Sequence, residues 1–188
     1  MTLLVIGVAL WMCAHLFPSL LPSARSALIV RIGEGPYKGL FALDLVIAIL
    51  LMVFGWRSAE ATFWYAAPLA GMPVLVWPLV AIAFILMGAA NVPTNIKRVL
   101  RHPMLTGVIV WGVAHLLANG DNRSVVLFGG LTLWAAVAIL TISRRDGQWL
   151  KPEPVPAKKD LTLVVIGLVL TAVVAYFHEY LSGVPLIR

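Results

Sequence analysis

The sequence has few charged residues and almost no cysteine. Asp, Glu, Lys and Arg make up only 12% of the 188 residues, whereas 61% are hydrophobic. Soluble domains are about a quarter charged and about half apolar. Because a soluble fold cannot bury this much apolar surface, the composition predicts an integral membrane protein. The single cysteine, Cys13, excludes an intramolecular disulfide and is expected to be a small buried hydrophobic residue.

The chain also lacks the motifs of several function classes. It has no Ser/Gly-rich linker, no phosphate-binding loop, no Cys-x-x-Cys metal site and no Ser-His-Asp set. Its net charge of +6 comes from basic residues in loops between apolar runs, which the positive-inside rule explains without nucleic acid. We therefore predict a single transmembrane domain over residues 1–188 that contacts the lipid bilayer and binds no nucleic acid.

Apolar runs account for most of the sequence. A spanning helix needs about 20 apolar residues, so the runs predict an all-α, polytopic membrane helical bundle of about six transmembrane helices. The segment Pro18–Gly35 mixes Arg25 and Arg31 with apolar residues and predicts a bent or interfacial segment. The runs are Thr2–Leu21, Pro36–Trp56, Gly71–Ala90, Pro103–Ala118, Ser124–Ile142 and Leu161–Leu181.

The basic residues concentrate in alternate loops. Eleven of the 14 Lys and Arg residues lie in or beside the first, third and fifth loops, and the positive-inside rule places such loops in the cytoplasm. The sequence therefore predicts both termini on the outer, periplasmic side. The three basic residues assigned to that side are Arg57, Arg123 and Arg188.

Two of the apolar runs share a ten-residue pattern that ends in His-Leu. Residues 7–16 read GVALWMCAHL and residues 107–116 read GVIVWGVAHL. In each, a tryptophan precedes a histidine by four residues, which places both on one helix face. One interpretation is chance reuse of a few residue types. The other is that the two helices present matching histidines to one flat cofactor. Two intramembrane imidazoles favour haem b over zinc, because zinc needs further protein ligands. The pairs are Trp11 with His15 and Trp111 with His115.

Further polar residues in or beside the runs are candidates because such groups are costly in a bilayer. Arg101 is expected either to hold haem propionates or only to fix topology. Asn119, four residues after His115, is expected to orient a ligand or to form a turn with Gly120 and Asp121.

The choice of ligand pair stays open on the sequence. If the first and fourth helices run in opposite directions, His15 and His115 lie about 10 Å apart in depth. Two axial ligands must reach the same iron, so this separation strains the first-ranked pair. The alternative pairs are His115 with His178 and His15 with His102.

A family resemblance adds to this interpretation. The run RHPMLTGVIVWGVAHLLANGD at 101–121, with CAHLFPSL in the first run, resembles the NnrU family of bacterial inner-membrane proteins across nearly the whole chain. The resemblance implies an association with denitrification, where the family is required for nitrite and nitric oxide reduction. The pattern is also similar to the zeta-carotene isomerase of plants, a membrane haem b protein whose two histidine ligands correspond to His15 and His115.

This chain departs from the isomerase at two positions. Gly112 replaces a cysteine implicated in ligand exchange, and another required histidine falls near Trp56. The resemblance therefore implies, first, a haem-binding protein of the bacterial inner membrane. Its role would be electron transfer, redox sensing or haem handling, and its partner a redox protein or a nitrogen-oxide reductase system. The alternative is a haem-dependent isomerase or oxidoreductase of a lipophilic polyene.

A third interpretation is a membrane methyltransferase that uses S-adenosylmethionine. Arg101-His102-Pro103 followed by Gly107 resembles the start of a motif in isoprenylcysteine and phospholipid methyltransferases. Those families also carry a Glu-Glu element after the next helix, where this chain has Ser143-Arg144-Arg145-Asp146. The missing carboxylates argue against this activity.

Overall fold

The computed structural model describes residues 1–183 and residue 186. Within this part of the chain all regular elements are helical, and the β-type pairing is limited to an isolated bridge between Phe63 and Asp121. The predicted all-helical membrane class is confirmed. The helices, numbered in chain order, are α1 (Thr2–Leu20), α2 (Pro22–Ile32), α3 (Glu34–Ser58), α4 (Pro73–Ala89), α5 (Pro103–Ala118), α6 (Asn122–Asp146) and α7 (Ala157–Ser182).

Four of these helices, α1, α3, α6 and α7, are long and apolar enough to cross a membrane. Helices α4 and α5 have 17 and 16 residues and are shorter than a full span, so the prediction of about six spans is not confirmed. The outward orientation of the termini stays a prediction, and Arg188 lies outside the described residues. Helix α2 buries none of its residues, and the interfacial position of its segment stays a prediction.

The helices form two compact units. Unit 1 comprises Met1–Ala66 and Gly120–Gln148, with α1, α2, α3 and α6, and unit 2 comprises Ala67–Asn119 and Trp149–Arg188, with α4, α5 and α7. The repeated ten-residue pattern falls once in each unit, on α1 and on α5.

In unit 1, glycine allows α1 and α3 to pack at close range. A Cβ at Gly7 would lie 2.9 Å from the carbonyl oxygen of Ala48, and a Cβ at Gly55 would lie 2.3 Å from the amide nitrogen of Leu4. Leu4 is fully buried. Since lipid removes the hydrophobic driving force between membrane helices, close backbone approach at small residues provides the van der Waals contact that joins them.

Unit 2 uses the same means to join α5 to α4. A Cβ at Gly107 would lie 2.8 Å from the carbonyl oxygen of Ala83. Gly107 is the first residue of its ten-residue pattern, as Gly7 is of the other. Both copies of the pattern therefore begin with a glycine at a helix contact, which places the tryptophan and histidine of each copy on the same helix face as that contact.

Many large apolar side chains face outward. Phe54 on α3 and Leu161 on α7 are 59% and 65% exposed, which in a spanning helix means contact with the lipid bilayer. Cys13 on α1, predicted to be buried, is exposed; that prediction was wrong because a lipid-facing position accepts a small apolar side chain as readily as a buried one.

Candidate functional site

The two Trp-His pairs have the same local geometry. His15 Nδ1 lies 3.0 Å from the carbonyl oxygen of Trp11, and His115 Nδ1 lies 2.8 Å from that of Trp111. The ring centroids are 4.1 Å apart in the first pair and 4.9 Å in the second. The repeat in sequence is thus also a repeat in structure, within one helical turn of each unit.

This hydrogen bond fixes the tautomer of each histidine. A carbonyl oxygen only accepts, so Nδ1 must carry the proton and donate it, and in the neutral ring Nε2 then holds the lone pair. Metal-bound histidines commonly show this arrangement, in which a bond from the second nitrogen orients the ring and raises the basicity of the ligating nitrogen. The local structure of His15 and His115 therefore suits coordination through Nε2.

Aromatic rings from three helices of unit 1 surround His15. The centroid of its imidazole lies 4.9 Å from that of Trp134 on α6 and 5.6 Å from that of Phe41 on α3. Trp11 and Trp134 also contact each other edge to face at 5.6 Å. These rings give His15 an apolar, aromatic environment, in which Trp134 and Phe41 meet the imidazole edge to face.

Buried polar atoms in this environment have no protein partner. The indole nitrogens of Trp11 and Trp134 and Oδ2 of Asp44 are buried without a hydrogen bond in the described part of the chain. Asp44 also interacts electrostatically with His15. An unmet buried hydrogen bond costs about 1–3 kcal/mol, so the surroundings of His15 suit a ligand that brings polar groups of its own.

A recess of about 530 Å³ in unit 1 adjoins this environment. Phe41, which contacts His15, lines it, together with Arg25, Tyr37 and Arg145. The Arg25 guanidinium lies 5.5 Å from the ring centroid of Tyr37, and Arg145 pairs with the exposed Asp146 at 2.8 Å. Guanidinium groups hold carboxylates by paired hydrogen bonds, so Arg25 and Arg145 are the side chains of this recess that suit the carboxylates of a ligand.

Arg101 and His115, both in unit 2, lie at opposite ends of α5. Arg101 comes two residues before the helix and His115 is in its last turn, a separation of about 20 Å at 1.5 Å per residue. The predicted contact of Arg101 with propionates stays untested. Sequence reasoning did not single out Arg25 or Arg145 for that role, although both are arginines beside an apolar run.

The structure places the remaining candidates in unit 2. His178 interacts electrostatically with His115, and its Nδ1 lies 3.0 Å from Ser182 Oγ. The Asn119 side chain donates to the carbonyl oxygen of His115 at 3.0 Å, so this bond closes the end of α5 and does not involve the imidazole. His102 precedes α5 as its N-cap residue.

Asp121 caps the start of α6, a role that the sequence analysis did not predict. Its carboxylate accepts hydrogen bonds from Ser124 Oγ at 2.7 Å and from the amide nitrogens of Arg123 and Ser124 at 3.0 and 3.1 Å. The expected turn contains this cap, and the following Asn122 bonds to the backbone of Thr62. An aspartate three residues before the predicted run Ser124–Ile142 is an N-cap signal that could have identified it.

The cap predicts a pH-dependent stability. Burial alone would raise the pKa of Asp121, but hydrogen bonds from Ser124 and Arg123 outweigh it and hold that pKa below its ordinary value of 3.8. At pH values above the ordinary pKa, the ionised carboxylate therefore stabilises the fold. This stabilisation is lost as the pH falls through the lower pKa of the folded state. We expect Asp121→Ala to reduce the free energy of unfolding by about 1–2 kcal/mol at neutral pH, measured by thermal unfolding in detergent.

Asp121→Asn is the matched control for this prediction. Asparagine caps helices about as well as aspartate but carries no charge, so it should retain most of the stability at neutral pH. The difference between Asp121→Ala and the unchanged protein should shrink as the pH falls from the ordinary pKa through the lower, folded pKa, because the carboxyl group becomes protonated first in the unfolded and then in the folded state. A difference that is the same at neutral and acidic pH would contradict the assignment.

The described residues contain no group of three or more His, Cys, Asp or Glu side chains placed to hold a metal ion. A haem iron takes four ligands from the porphyrin and needs only one or two from the protein. The histidine geometry is compatible with this smaller requirement.

The fold and the site define a class: helical membrane proteins in which a Trp-His pair recurs on two helices. Within that class the chain belongs to the NnrU family, whose family model, described as NnrU protein, matches residues 3–186. It is also similar to the chloroplastic 15-cis-zeta-carotene isomerase of Zea mays, with 27% identity over an alignment of 119 residues, and the match covers 53% of this chain. The match covers 32% of that relative's length. No solved structure matches the chain.

Proposed function

We propose that the protein binds haem b through the imidazoles of His15 and His115. In this role it supports nitrite and nitric oxide reduction in a bacterial inner membrane, by electron transfer, redox sensing or haem handling with a redox partner. The observation that carries the proposal is the shared geometry of the two histidines, each with Nδ1 bonded to the carbonyl oxygen of the tryptophan one turn earlier.

The surroundings of His15 fit this group. Trp11, Trp134 and Phe41 present apolar ring faces and edges to the histidine, and a macrocycle needs such surfaces. Arg25 and Arg145 in the adjoining recess would hold the two propionates. When bound, haem supplies one-electron chemistry at its iron, and the side chains named here bind it, orient it and keep water away.

A second ligand pair has its own support. His115 and His178 both belong to unit 2 and interact electrostatically, so this pair remains the first alternative. The other alternative, His15 with His102, has no such observation in its favour. Substitution of each histidine in turn separates the pairs.

The second candidate function is isomerisation of a lipophilic polyene. It is favoured by the similarity to the Zea mays 15-cis-zeta-carotene isomerase. The structure places Trp56, near the position of the isomerase's other required histidine, edge to face with Phe128 and beneath the Arg123 guanidinium. A tryptophan in this packing cannot serve as an acid, a base or a ligand, and so it does not replace a histidine.

An absorption spectrum tests both functions. Protein purified from cells supplied with haem precursor should contain about one haem b per chain by the pyridine haemochrome assay. Since two histidines leave no open position on the iron, carbon monoxide should leave the spectrum of the reduced protein unchanged. A carbon monoxide complex would favour the isomerase, to be checked by incubating the reduced protein with polyenes, and protein free of haem would overturn both.

A further inference from the structure

Three consecutive aromatic residues of unit 1 follow α3 in the chain and pair with the residues before α6. The amide nitrogens of Trp64 and Tyr65 donate to the carbonyl oxygen of Gly120 at 2.8 and 3.2 Å. Phe63 forms an antiparallel bridge with Asp121. Phe63, Trp64 and Tyr65 make up this aromatic segment, and its backbone is held against the start of α6.

Asn122, the first residue of α6, fixes the residues just before the aromatic segment. Its amide nitrogen donates to the carbonyl oxygen of Thr62 at 2.9 Å, and its side-chain oxygen accepts from the Thr62 amide at 3.1 Å. Its side-chain nitrogen donates to the carbonyl oxygen of Glu60 at 3.2 Å. Because this backbone is fixed, the aromatic side chains pay less ordering entropy when they contact a partner than they would on a free loop.

The side chains of the aromatic segment are exposed even though its backbone is held. Phe63 is 82% exposed, Trp64 61% and Tyr65 38%. A single exposed apolar side chain is ordinary, but a contiguous group of large rings marks a surface of interaction. The aromatic segment is therefore expected to contact something outside the polypeptide.

The neighbouring helices indicate that this surrounding is lipid. Helix α3 ends at Ser58 and α6 begins at Asn122, and both helices are long and apolar enough to cross a membrane. The ends of spanning helices lie at the boundary between lipid and water, so the segment between these two ends lies there too. Phe54, 59% exposed in the last turns of α3, brings the lipid-facing surface of that helix close to the same boundary.

The chemistry of the aromatic segment suits the headgroup layer. Tryptophan and tyrosine concentrate there because the ring enters apolar surroundings while its N–H or O–H group stays wet. From Glu60 to Ala66 the sequence has one charged residue, Glu60, and no basic residue. Electrostatic attraction to anionic lipid comes from Lys and Arg, so this contact does not need an anionic headgroup.

We propose that the aromatic segment inserts its rings into the headgroup layer of the bilayer and anchors unit 1 at its depth in the membrane. The partner is the lipid itself, zwitterionic as well as anionic. The segment is distinct from the histidines and arginines assigned to haem, so this role does not rest on haem binding.

Fluorescence of a bimane label at position 63 tests the proposal on the full chain in phosphatidylcholine nanodiscs, whose two faces are both open to water. The label is attached to Phe63→Cys in a Cys13→Ala background, which leaves Trp64 and Tyr65 in place. Iodide quenches from the water, and phosphatidylcholine with a nitroxide on its headgroup quenches from the boundary. We expect loss of iodide quenching and strong quenching by the headgroup nitroxide.

Two further label positions provide matched controls. Glu153→Cys, in the same Cys13→Ala background, places the label on an exposed residue of the charged connector before α7, where iodide should quench it fully. The natural Cys13, exposed on the spanning helix α1, should be quenched better by a nitroxide on the acyl chain than by one on the headgroup.

A second substitution separates anchoring by the ring from mere proximity to lipid. Trp64→Ser should raise the iodide quenching of the label at position 63 toward the value at position 153, because the amphipathic ring is lost. Trp64→Phe retains a ring and should leave the quenching low. Thermal unfolding of each variant shows that the fold is retained, and the substituted side chains at both positions are exposed.

Three results would overturn the proposal. The first is iodide quenching at position 63 as strong as at position 153. The second is protection from iodide without quenching by the headgroup nitroxide, since a protein surface such as a second copy of the chain would then cover the segment. The third is equal quenching in Trp64→Ser and Trp64→Phe. Haem content should be unchanged in these variants, so failure of the haem proposal would leave this result standing.

Discussion

Replacing His15 or His115 with alanine should lower the haem content of the purified protein at least about tenfold, because loss of even an outer partner of a ligand typically reduces metal affinity by about 10–100-fold. Both imidazoles are held by the same bond to a backbone carbonyl, so both substitutions should have similar effects. Pyridine haemochrome content per chain, with protein amount from amino-acid analysis, measures this directly.

His102→Ala and His178→Ala are the matched controls for this experiment. If both retain haem while His15→Ala and His115→Ala lose it, the first-ranked pair is supported. Loss with His178→Ala and retention with His15→Ala would assign the ligands to His115 and His178 instead. Haem content unchanged in all four variants would contradict histidine ligation altogether.

A conservative variant separates ligation from packing. His15→Met retains an axial donor of similar length, and methionine ligation raises the reduction potential of a haem iron. We therefore expect His15→Met to keep more haem than His15→Ala and to titrate at a higher potential than the unchanged protein. A merely structural role for His15 would leave the potential unmoved.

Gly55→Ala should be the most destabilising conservative change in unit 1. The new Cβ would lie 2.3 Å from the Leu4 amide nitrogen and 2.6 Å from its Cα. These are backbone atoms, so no side-chain rotation relieves the overlap and α1 must move away from α3. Overpacking of this kind costs about 1–3 kcal/mol, occasionally more, which thermal unfolding in detergent would show as a midpoint lowered by several degrees.

Gly39→Ala provides the matched control on the same helix. No atom lies within 4 Å of a Cβ at Gly39, and alanine is favoured over glycine inside a helix by about 0.5–1 kcal/mol. This variant should be neutral or slightly more stable. Equal effects of Gly55→Ala and Gly39→Ala would show that the α1–α3 contact is looser than the structure indicates.

Composition and local periodicity determined the class and the helices. The predicted run Pro103–Ala118 coincides with α5, and Thr2–Leu21 differs from α1 by one residue. These segments could be found because a backbone in lipid must satisfy its hydrogen bonds within its own helix. The number of spans could not be predicted in the same way, because α4 and α5 are apolar but shorter than a full span.

The Trp-His geometry was also accessible from sequence. A spacing of four residues fixes the face of a helix, and the bond from each imidazole reaches a carbonyl within the same turn. Neither feature depends on how helices pack. The ten-residue pattern therefore identified His15 and His115 as equivalent before any contact between helices was known.

Only the tertiary structure decided which distant residues surround these positions. Trp134 and Phe41 meet His15 from other helices, and Asp160 meets Thr94 from the start of α7. Apolar membrane helices present similar residue types on every face, so periodicity does not select their neighbours. By itself the sequence determined a helical membrane protein of the NnrU type with two matching histidines. Packing determined the aromatic surroundings of His15 and the recess that Arg25 and Arg145 line, because those depend on contacts between segments far apart in the chain.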